Sequence, residues 1–316
     1  MHGRPVPAVD PDQDHFFLDH LQAVHAENAW YYNQRFLGRG GNGTAFLVTC
    51  SSGPHIGMQF VLKVFHKISD VARRKAFLKE IVHLKSLDHP GITRVFDEGT
   101  FKAKTGADYP FVIIEYVPVT ARALMLSKQV DRLRAIRIAL NCLSAIHCLH
   151  HASPPKIHRD IKPENILISD MGAKLADFGL VKVLADLEPE SDVTVFDGTQ
   201  WPGMPWRYRT PELIQRAIDH RTAVTAKSDI YQFGTVFYEL LTGFNPQRAP
   251  DKITDPIELD IREIKGNQGA ELSALIGFML APKPSNRLPA HTCIGRLNLV
   301  HQAYCGSLTA LTGQQV

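Results

Sequence analysis

The chain has 316 residues, 44% of them hydrophobic and 21% charged, with 35 Lys+Arg against 32 Asp+Glu. This is enough for one large domain or two lobes with real cores, and the composition is that of a soluble globular protein. A net charge of +3 is too small to argue for a nucleic-acid or membrane-surface partner. The apolar runs, such as VTC at Val48 and FVIIEYV at Phe111, are too short to span a bilayer.

Residues 1–14 are rich in Pro and Asp and are expected to be disordered. MHGRPVPAVDPDQDH lacks the basic-then-apolar order of a signal peptide, so the cytoplasm is the expected location. Cys50, Cys142, Cys148, Cys293 and Cys305 are scattered, with no CxxC pair, which fits reduced thiols in a reducing compartment. From Asp14 to Trp30, Phe17, Leu21 and Val24 recur at helical spacing. This predicts a short amphipathic helix packed on the following lobe, with a regulatory role as its other reading.

FLGRGGNGTAFLV reads as strand, glycine turn, strand, and QFVLKVF as a third strand, apolar with one lysine. The spacing predicts a helix over Val71 to Leu87, with Ala76, Phe77, Glu80, Ile81 and Leu84 in period. HPGITRVFDEG and YPFVIIEYV add two strands. After Pro118 the pattern turns helical through ALMLSKQVDRLRAIRIALNCLSAIHCLHH. PKIHRDIKPENILIS and AKLADFG read as short strands and loops, and an irregular stretch runs to Arg209. YQFGTVFYELLTG, ELSALIGFML and HTCIGRLNLVHQAY are helical. The fold class is α+β: a small antiparallel β-rich lobe with one main helix, then a larger helical lobe. The expected boundaries are an extension over 1–33, lobes over 34–117 and 118–302, and a tail over 303–316. No internal repeat is evident.

HCLHH puts His147 and His151 on one helix face, which suits a metal. A helix end with satisfied or solvated imidazoles is the preferred reading. GRGGNG, Gly38 to Gly43, packs four glycines into six residues. Alone it is either a flexible connector or a loop whose backbone closes over phosphates.

Two further stretches decide between these. HRDIKPEN, His158 to Asn165, fits H-R-D-x-x-x-x-N without a gap, and DFG starts at Asp177, 12 positions after Asn165 (177 − 165). From about Phe36 to about Val300 the chain resembles the eukaryotic-type (Hanks-type) serine/threonine protein kinases. The resemblance implies the two-lobed protein-kinase fold, with ATP and Mg²⁺ as nucleotide and metal. Gly38, Gly40 and Gly43 then fit G-x-G-x-x-G, with backbone amides over the phosphates. Gly41 is an extra glycine in this loop.

Phosphoryl transfer needs in-line positioning and cancellation of charge on the γ-phosphate. By the resemblance, Asp160 accepts the hydrogen bond, then the proton, of the substrate hydroxyl. Lys162 reaches the γ-phosphate. Asn165 and Asp177 are hard oxygen donors for Mg²⁺. Lys63 matches the strand lysine on the α- and β-phosphates, and Glu80, 17 residues later (80 − 63), matches its helix partner. A solvent-edge lysine and a surface helix carboxylate are the bland readings of that pair, and capping carboxylates that of Asp160 and Asp177. Ala45, Val61 and Leu167 match the adenine-facing positions and Ile114 the gatekeeper. Backbone groups of Glu115 and Val117 match the adenine-edge contacts.

Leu84, Val95, His158 and Phe178 match the stacked apolar column of an assembled kinase core. Thr210-Pro211-Glu212 stands where the family has Ala-Pro-Glu, and Glu212 is expected to pair with Arg287. Asp229 matches the buried aspartate that steadies the catalytic loop. Arg159 and Lys182 are expected to form a basic pocket for a phosphate on the activation segment, with Ser191, Thr194 and Thr199 as candidate sites. Serine/threonine members carry the lysine of KPEN, where tyrosine kinases usually have AARN or RAAN. The expected acceptors are therefore Ser and Thr hydroxyls of protein substrates, in a monomer or weak dimer. The alternative is a kinase-fold signalling scaffold without turnover.

Four features depart from the family. Ala45 and Val61 invert its usual large-small pair and are expected to face each other over the adenine with volume conserved. Thr199 lies 13 residues before Glu212 (212 − 199), and Pro205 takes the usual threonine position. Ala121 stands where an acidic ribose contact is usual. The segment between Phe244 and Glu271 is short and polar.

Overall fold

A computed structural model describes residues 16–39, 43–69, 71–103, 106–176, 182–183, 207–219, 221–252 and 254–312; for 72, 73, 76, 79, 80, 83, 182, 183 and 308–312 it describes backbone only. The chain forms two compact units. The first takes the chain up to Leu87 together with Arg94–Tyr116, and the second takes Asp88–Thr93 and everything from Val117.

The first unit is built on six antiparallel strands: β1 (Ala23–His25), β2 (Trp30–Arg39), β3 (Gly43–Cys50), β4 (Gln59–Phe65), β5 (Val95–Lys102) and β6 (Asp108–Glu115). Their order in the sheet is β1-β2-β3-β4-β6-β5. Alternation along β3, β4 and β6 divides the side chains between two faces. Phe46, Val48, Phe60, Leu62, Val64, Phe111 and Ile113 make one buried layer. On the other face Phe65 and Val112 meet Phe77 and Ile81 of helix α1 (Val71–Lys85), where Phe65 stacks on Phe77 at 5.1 Å. That helix ends two residues before the expected Leu87.

The helix expected between Asp14 and Trp30 does not form. A turn at residues 20–21 leads into β1, which pairs Val24 with Tyr31 of β2. Phe16 and Leu18, and then Val24 and Ala26, are buried at two-residue spacing, while Phe17 and Leu21 are exposed. Leu21 has φ +60°, a value that breaks a right-handed helix. Strand pairing and burial against Phe46 and Tyr109 outweigh a helical pattern that rested on three residues.

The second unit is mainly helical: α2 (Ala121–Leu126), α3 (Arg132–His150), α4 (Pro211–Ile218), α5 (Lys227–Thr242), α6 (Gly269–Met279) and α7 (Ala290–Thr312). The expected single helix after Pro118 is split in two. Lys128 has φ +56°, and the Asp131 carboxylate accepts from Arg134 N at 2.7 Å, capping α3. The helix α5 is buried on all sides, as an apolar central helix must be, and Gly243 at φ +72° ends it. The helix α7 runs past residue 302, the expected lobe limit, to Thr312. Strands β7 (Val119–Thr120), β9 (Ile166–Ser169) and β10 (Gly172–Leu175) form a small sheet. Strand β8 (Lys156–Ile157) pairs with β11 (Lys182–Val183). Among the described residues no helix is long and apolar enough to cross a membrane.

Candidate active site

The loop from His158 to Asn165 is held by side chains of α5. Asp229 is fully buried; its Oδ2 accepts from His158 N at 2.9 Å and its Oδ1 from Arg159 N at 2.8 Å. His150, at the end of α3, adds its Nε2 to Asp229 Oδ2 at 2.8 Å. Burial alone would push the Asp229 carboxyl up, but the hydrogen bond and charge of His150, with the backbone bond, hold it below its ordinary value. One turn on, Gln232 Oε1 accepts from Ile161 N at 3.0 Å, and its Nε2 donates to Arg159 O at 3.0 Å. The backbone on both sides of Asp160 is thereby fixed. Arg159 sits at φ +69°, a conformation these bonds sustain.

Asp160 is buried, and its Oδ2 accepts from Lys162 Nζ and from Asn165 Nδ2, each at 2.8 Å. Asn165 Nδ2 also donates to Asp160 O at 2.8 Å. A carboxylate, an ammonium and a carboxamide thus meet on one loop, with the carboxylate aimed by two donors. Leu167 lies on β9 opposite Lys174 and Thr120.

In the first unit the expected nucleotide residues share one sheet face. Ala45 lies opposite Lys63, Val61 lies opposite Leu47 and Ile114, and Lys63 lies opposite Val112. Ala45 and Val61 are therefore diagonal neighbours on that face. Glu115 N donates to Arg94 O at 2.9 Å. Gly43 starts β3, and a Cβ there would stand 2.7 Å from Val64 O. Glu80 lies on α1, but its side chain, with Gly40, Gly41, Asp177, Phe178, Ser191, Thr194, Thr199, Pro205 and the side chain of Lys182, is outside the description.

The family profile for the protein kinase domain matches residues 31–296. The chain belongs to the eukaryotic-type protein kinase family. It is 31% identical over 235 residues to the serine/threonine-protein kinase PknB of Mycobacterium tuberculosis, covering 69% of this chain and 35% of that protein. PknB of Mycobacterium leprae is 30% identical over 234 residues, with the same coverages. The receptor protein-tyrosine kinase CEPR1 of Arabidopsis thaliana is 31% identical over 223 residues, covering 68% of this chain and 21% of that one. The chain thus spans about a third of the length of the PknB proteins it matches.

The expected pairing of Glu212 with Arg287 is present in this kinase domain. Thr210 Oγ1 accepts from Leu213 N at 3.3 Å and caps α4, which sets Glu212 against Arg287: Arg287 Nη1 donates to Glu212 Oε1 at 2.6 Å. Arg159 is half-buried beside Arg216; desolvation first, then that neighbouring charge, lowers its guanidinium to about 10, against the pull of Asp229. His147 and His151 stand 4.1 Å apart, ring to ring.

Two side chains that tie the site together carry no mark of it in the sequence. His150, in HCLHH at the end of α3, is the imidazole that binds Asp229. Arg122 follows the unexpected Ala121. It donates through Nε to Glu164 Oε1 at 2.8 Å, through Nη1 to Glu239 Oε1 at 2.7 Å, and through Nη2 to the Tyr208 hydroxyl. Its place directly after Ala121, which stands where an acidic ribose contact is usual, was the nearest signal.

Proposed function

We propose that this chain is a serine/threonine protein kinase, transferring the γ-phosphate of ATP to Ser and Thr hydroxyls of proteins and of itself. The observation that carries the proposal is the Asp160 carboxylate, buried and aimed by Lys162 and Asn165 on a loop pinned by Asp229 and Gln232. A fixed carboxylate beside an ammonium suits a reaction in which an acceptor oxygen bonds phosphorus while its proton is removed. The acceptor oxygen attacks the γ-phosphorus, the bond to the β–γ bridging oxygen breaks, ADP leaves, and the hydroxyl proton passes to Asp160. Lys162 cancels charge on the transferred group, and Lys63 holds the α- and β-phosphates with Glu80 as its partner. Gly38, Gly40 and Gly43 present backbone amides to the phosphates. Ala45, Val61, Ile114 and Leu167 flank the adenine, and the backbone of Glu115 and Val117 meets its edge.

The residues fit a hard divalent cation. Asn165 commits its amide nitrogen to Asp160, which leaves its carbonyl oxygen as the metal donor, and Asp177 supplies the second. Mg²⁺ would supply charge cancellation on the phosphates there.

The acceptor class rests on Lys162, the lysine of KPEN. The test uses purified protein with labelled ATP and Mg²⁺ beside Asp160→Asn. The expected result is phosphoserine or phosphothreonine on protein from the intact form alone. ATP binding with no label on itself or on general protein substrates would favour a scaffold instead, and phosphotyrosine would overturn the acceptor assignment.

A further inference from the structure

Arg122 closes a charge network at the edge of the catalytic loop. Its guanidinium bridges Glu164, 47% exposed, and Glu239, 9% exposed. The Tyr208 hydroxyl donates to Glu239 Oε2 at 2.5 Å, and Asn245 Nδ2 reaches the same oxygen at 3.3 Å. Burial opposes the charge on Arg122, but the hydrogen bonds to Glu164 and Glu239 more than offset it, so its guanidinium is held charged.

One side chain ties this network to Asp160. Gln232 Nε2 donates both to Arg159 O at 3.0 Å and to Tyr208 O at 3.2 Å, while its Oε1 holds Ile161 N. Arg159 and Ile161 flank Asp160, and Glu164 lies four residues further along the same loop (164 − 160). Glu164, four residues along the loop from Asp160, and Glu239 are thus spaced to grip one guanidinium, and the chain's own arginine occupies them.

We propose that Arg122 is a specificity-determining residue: from within the chain it fills a Glu164–Glu239 site that would otherwise take a basic side chain flanking the acceptor hydroxyl. The proposal rests on the serine/threonine kinase reading above. A second guanidinium would find both Oε1 atoms already bonded and the local negative charge halved. Removing Arg122 would free both carboxylates without stranding Glu239, which keeps Tyr208 and Asn245 as donors. Methionine at this position preserves much of the side-chain volume.

The test compares fluorescent serine peptides that differ only in carrying Arg or Gln at single positions near the serine. Binding to the full chain is read by anisotropy, and phosphorylation by labelled ATP. The intact protein is expected to bind Arg and Gln forms within about threefold of each other. Arg122→Met is expected to favour Arg about tenfold or more at one or two positions. Adding Glu164→Gln to Arg122→Met is expected to erase that gain. A tenfold Arg preference in the intact protein overturns the proposal, as does an unchanged ratio, or no peptide binding, in Arg122→Met. If Arg122→Met fails to fold, Glu164→Gln alone decides. An unchanged ratio supports an occupied site, and a severalfold loss of Arg preference overturns it. Absence of label from the intact protein counts against the kinase reading, while the binding ratio reports on Arg122 separately.

Discussion

Arg287 and Glu212 meet as a buried, two-pronged ion pair, with Nη1 on Oε1 at 2.6 Å and Nη2 on Oε2 at 2.8 Å. Arg287 spends its remaining donors on the carbonyls of Ala281, Lys227 and Pro282, and its guanidinium lies 4.7 Å over the Tyr231 ring. Ser228 Oγ completes Glu212 at 2.5 Å. The pair joins α4 to the start of α5 and the turn before α7. Arg287→Ala would strand a buried carboxylate, with an expected loss of about 3–5 kcal/mol in urea denaturation. Arg287→Lys is expected to recover less than half of that, because an ammonium cannot reproduce the fork.

The same pair predicts how the fold responds to acid. Burial pushes the Glu212 carboxyl up, and the Arg287 bonds outweigh it, leaving it below its usual 4.5. The Asp229 carboxyl likewise sits below its usual 3.8, its bonds from His150 outweighing burial. A depressed folded pKa gives stability that is present above the unfolded value and is lost as pH falls through the folded one. Melting temperature is therefore expected to hold from pH 7 to about 5 and to fall steeply below about 4.5. In Glu212→Gln the acid slope should be shallower. An equally steep fall in that variant would remove Glu212 as a cause.

Asp229 gives a prediction on the catalytic loop. Asp229→Ala leaves His158 N, Arg159 N and His150 Nε2 without their shared acceptor, at about 1–3 kcal/mol for each buried donor. Phosphate transfer is expected to fall by about 100-fold or more, as the backbone at Arg159 loses the bond that sustains φ +69°. His150→Ala removes one donor and leaves both backbone bonds, so it is expected to cost about 1–2 kcal/mol of stability and under tenfold in rate. Equal rates in the two variants would mean that the backbone bonds do not position Asp160.

Much of this was legible because it is local. QFVLKVF coincides with β4 from Gln59 to Phe65, since a short apolar run bounded by polar residues leaves few alternatives. HRDIKPEN brought Asp160, Lys162 and Asn165 together because all three lie on one loop. The failures are non-local. Arg122 meets partners 42, 86 and 117 positions away, and a lone arginine carries no periodic mark. His150 differs from His147 and His151 only in where α3 ends relative to Asp229.

The glycine-rich loop offers a steric comparison. A methyl at Gly43 would meet the Val64 carbonyl at 2.7 Å, and that oxygen belongs to the β3–β4 ladder, so neither strand yields cheaply. A methyl at Gly38 meets nothing within 4 Å. Gly43→Ala is expected to cost about 1–3 kcal/mol and to raise the KM for ATP, while Gly38→Ala costs under about 1 kcal/mol. If Gly38→Ala proved the more damaging, the close approach of β3 to β4 would not be what demands glycine.

The segment before β2 yields the last prediction, because its sequence periodicity and its structure disagree about which phenylalanine matters. Helical spacing selects Phe17 and Leu21, whereas the fold buries Phe16, with ring centroids 4.9 Å from Tyr109, 5.2 Å from Phe101 and 6.1 Å from Phe46. Phe17 is 65% exposed. Phe16→Ala is expected to destabilise by about 3–5 kcal/mol, since it removes a buried ring from a packed aromatic layer. Phe17→Ala should stay within about 0.5 kcal/mol of the intact protein. Both are read by urea denaturation of the full chain. The reverse order of effects would restore the helical reading, and a null effect at both positions would detach the segment from the sheet. The stated order makes residues 16–29 a part of the first unit's core.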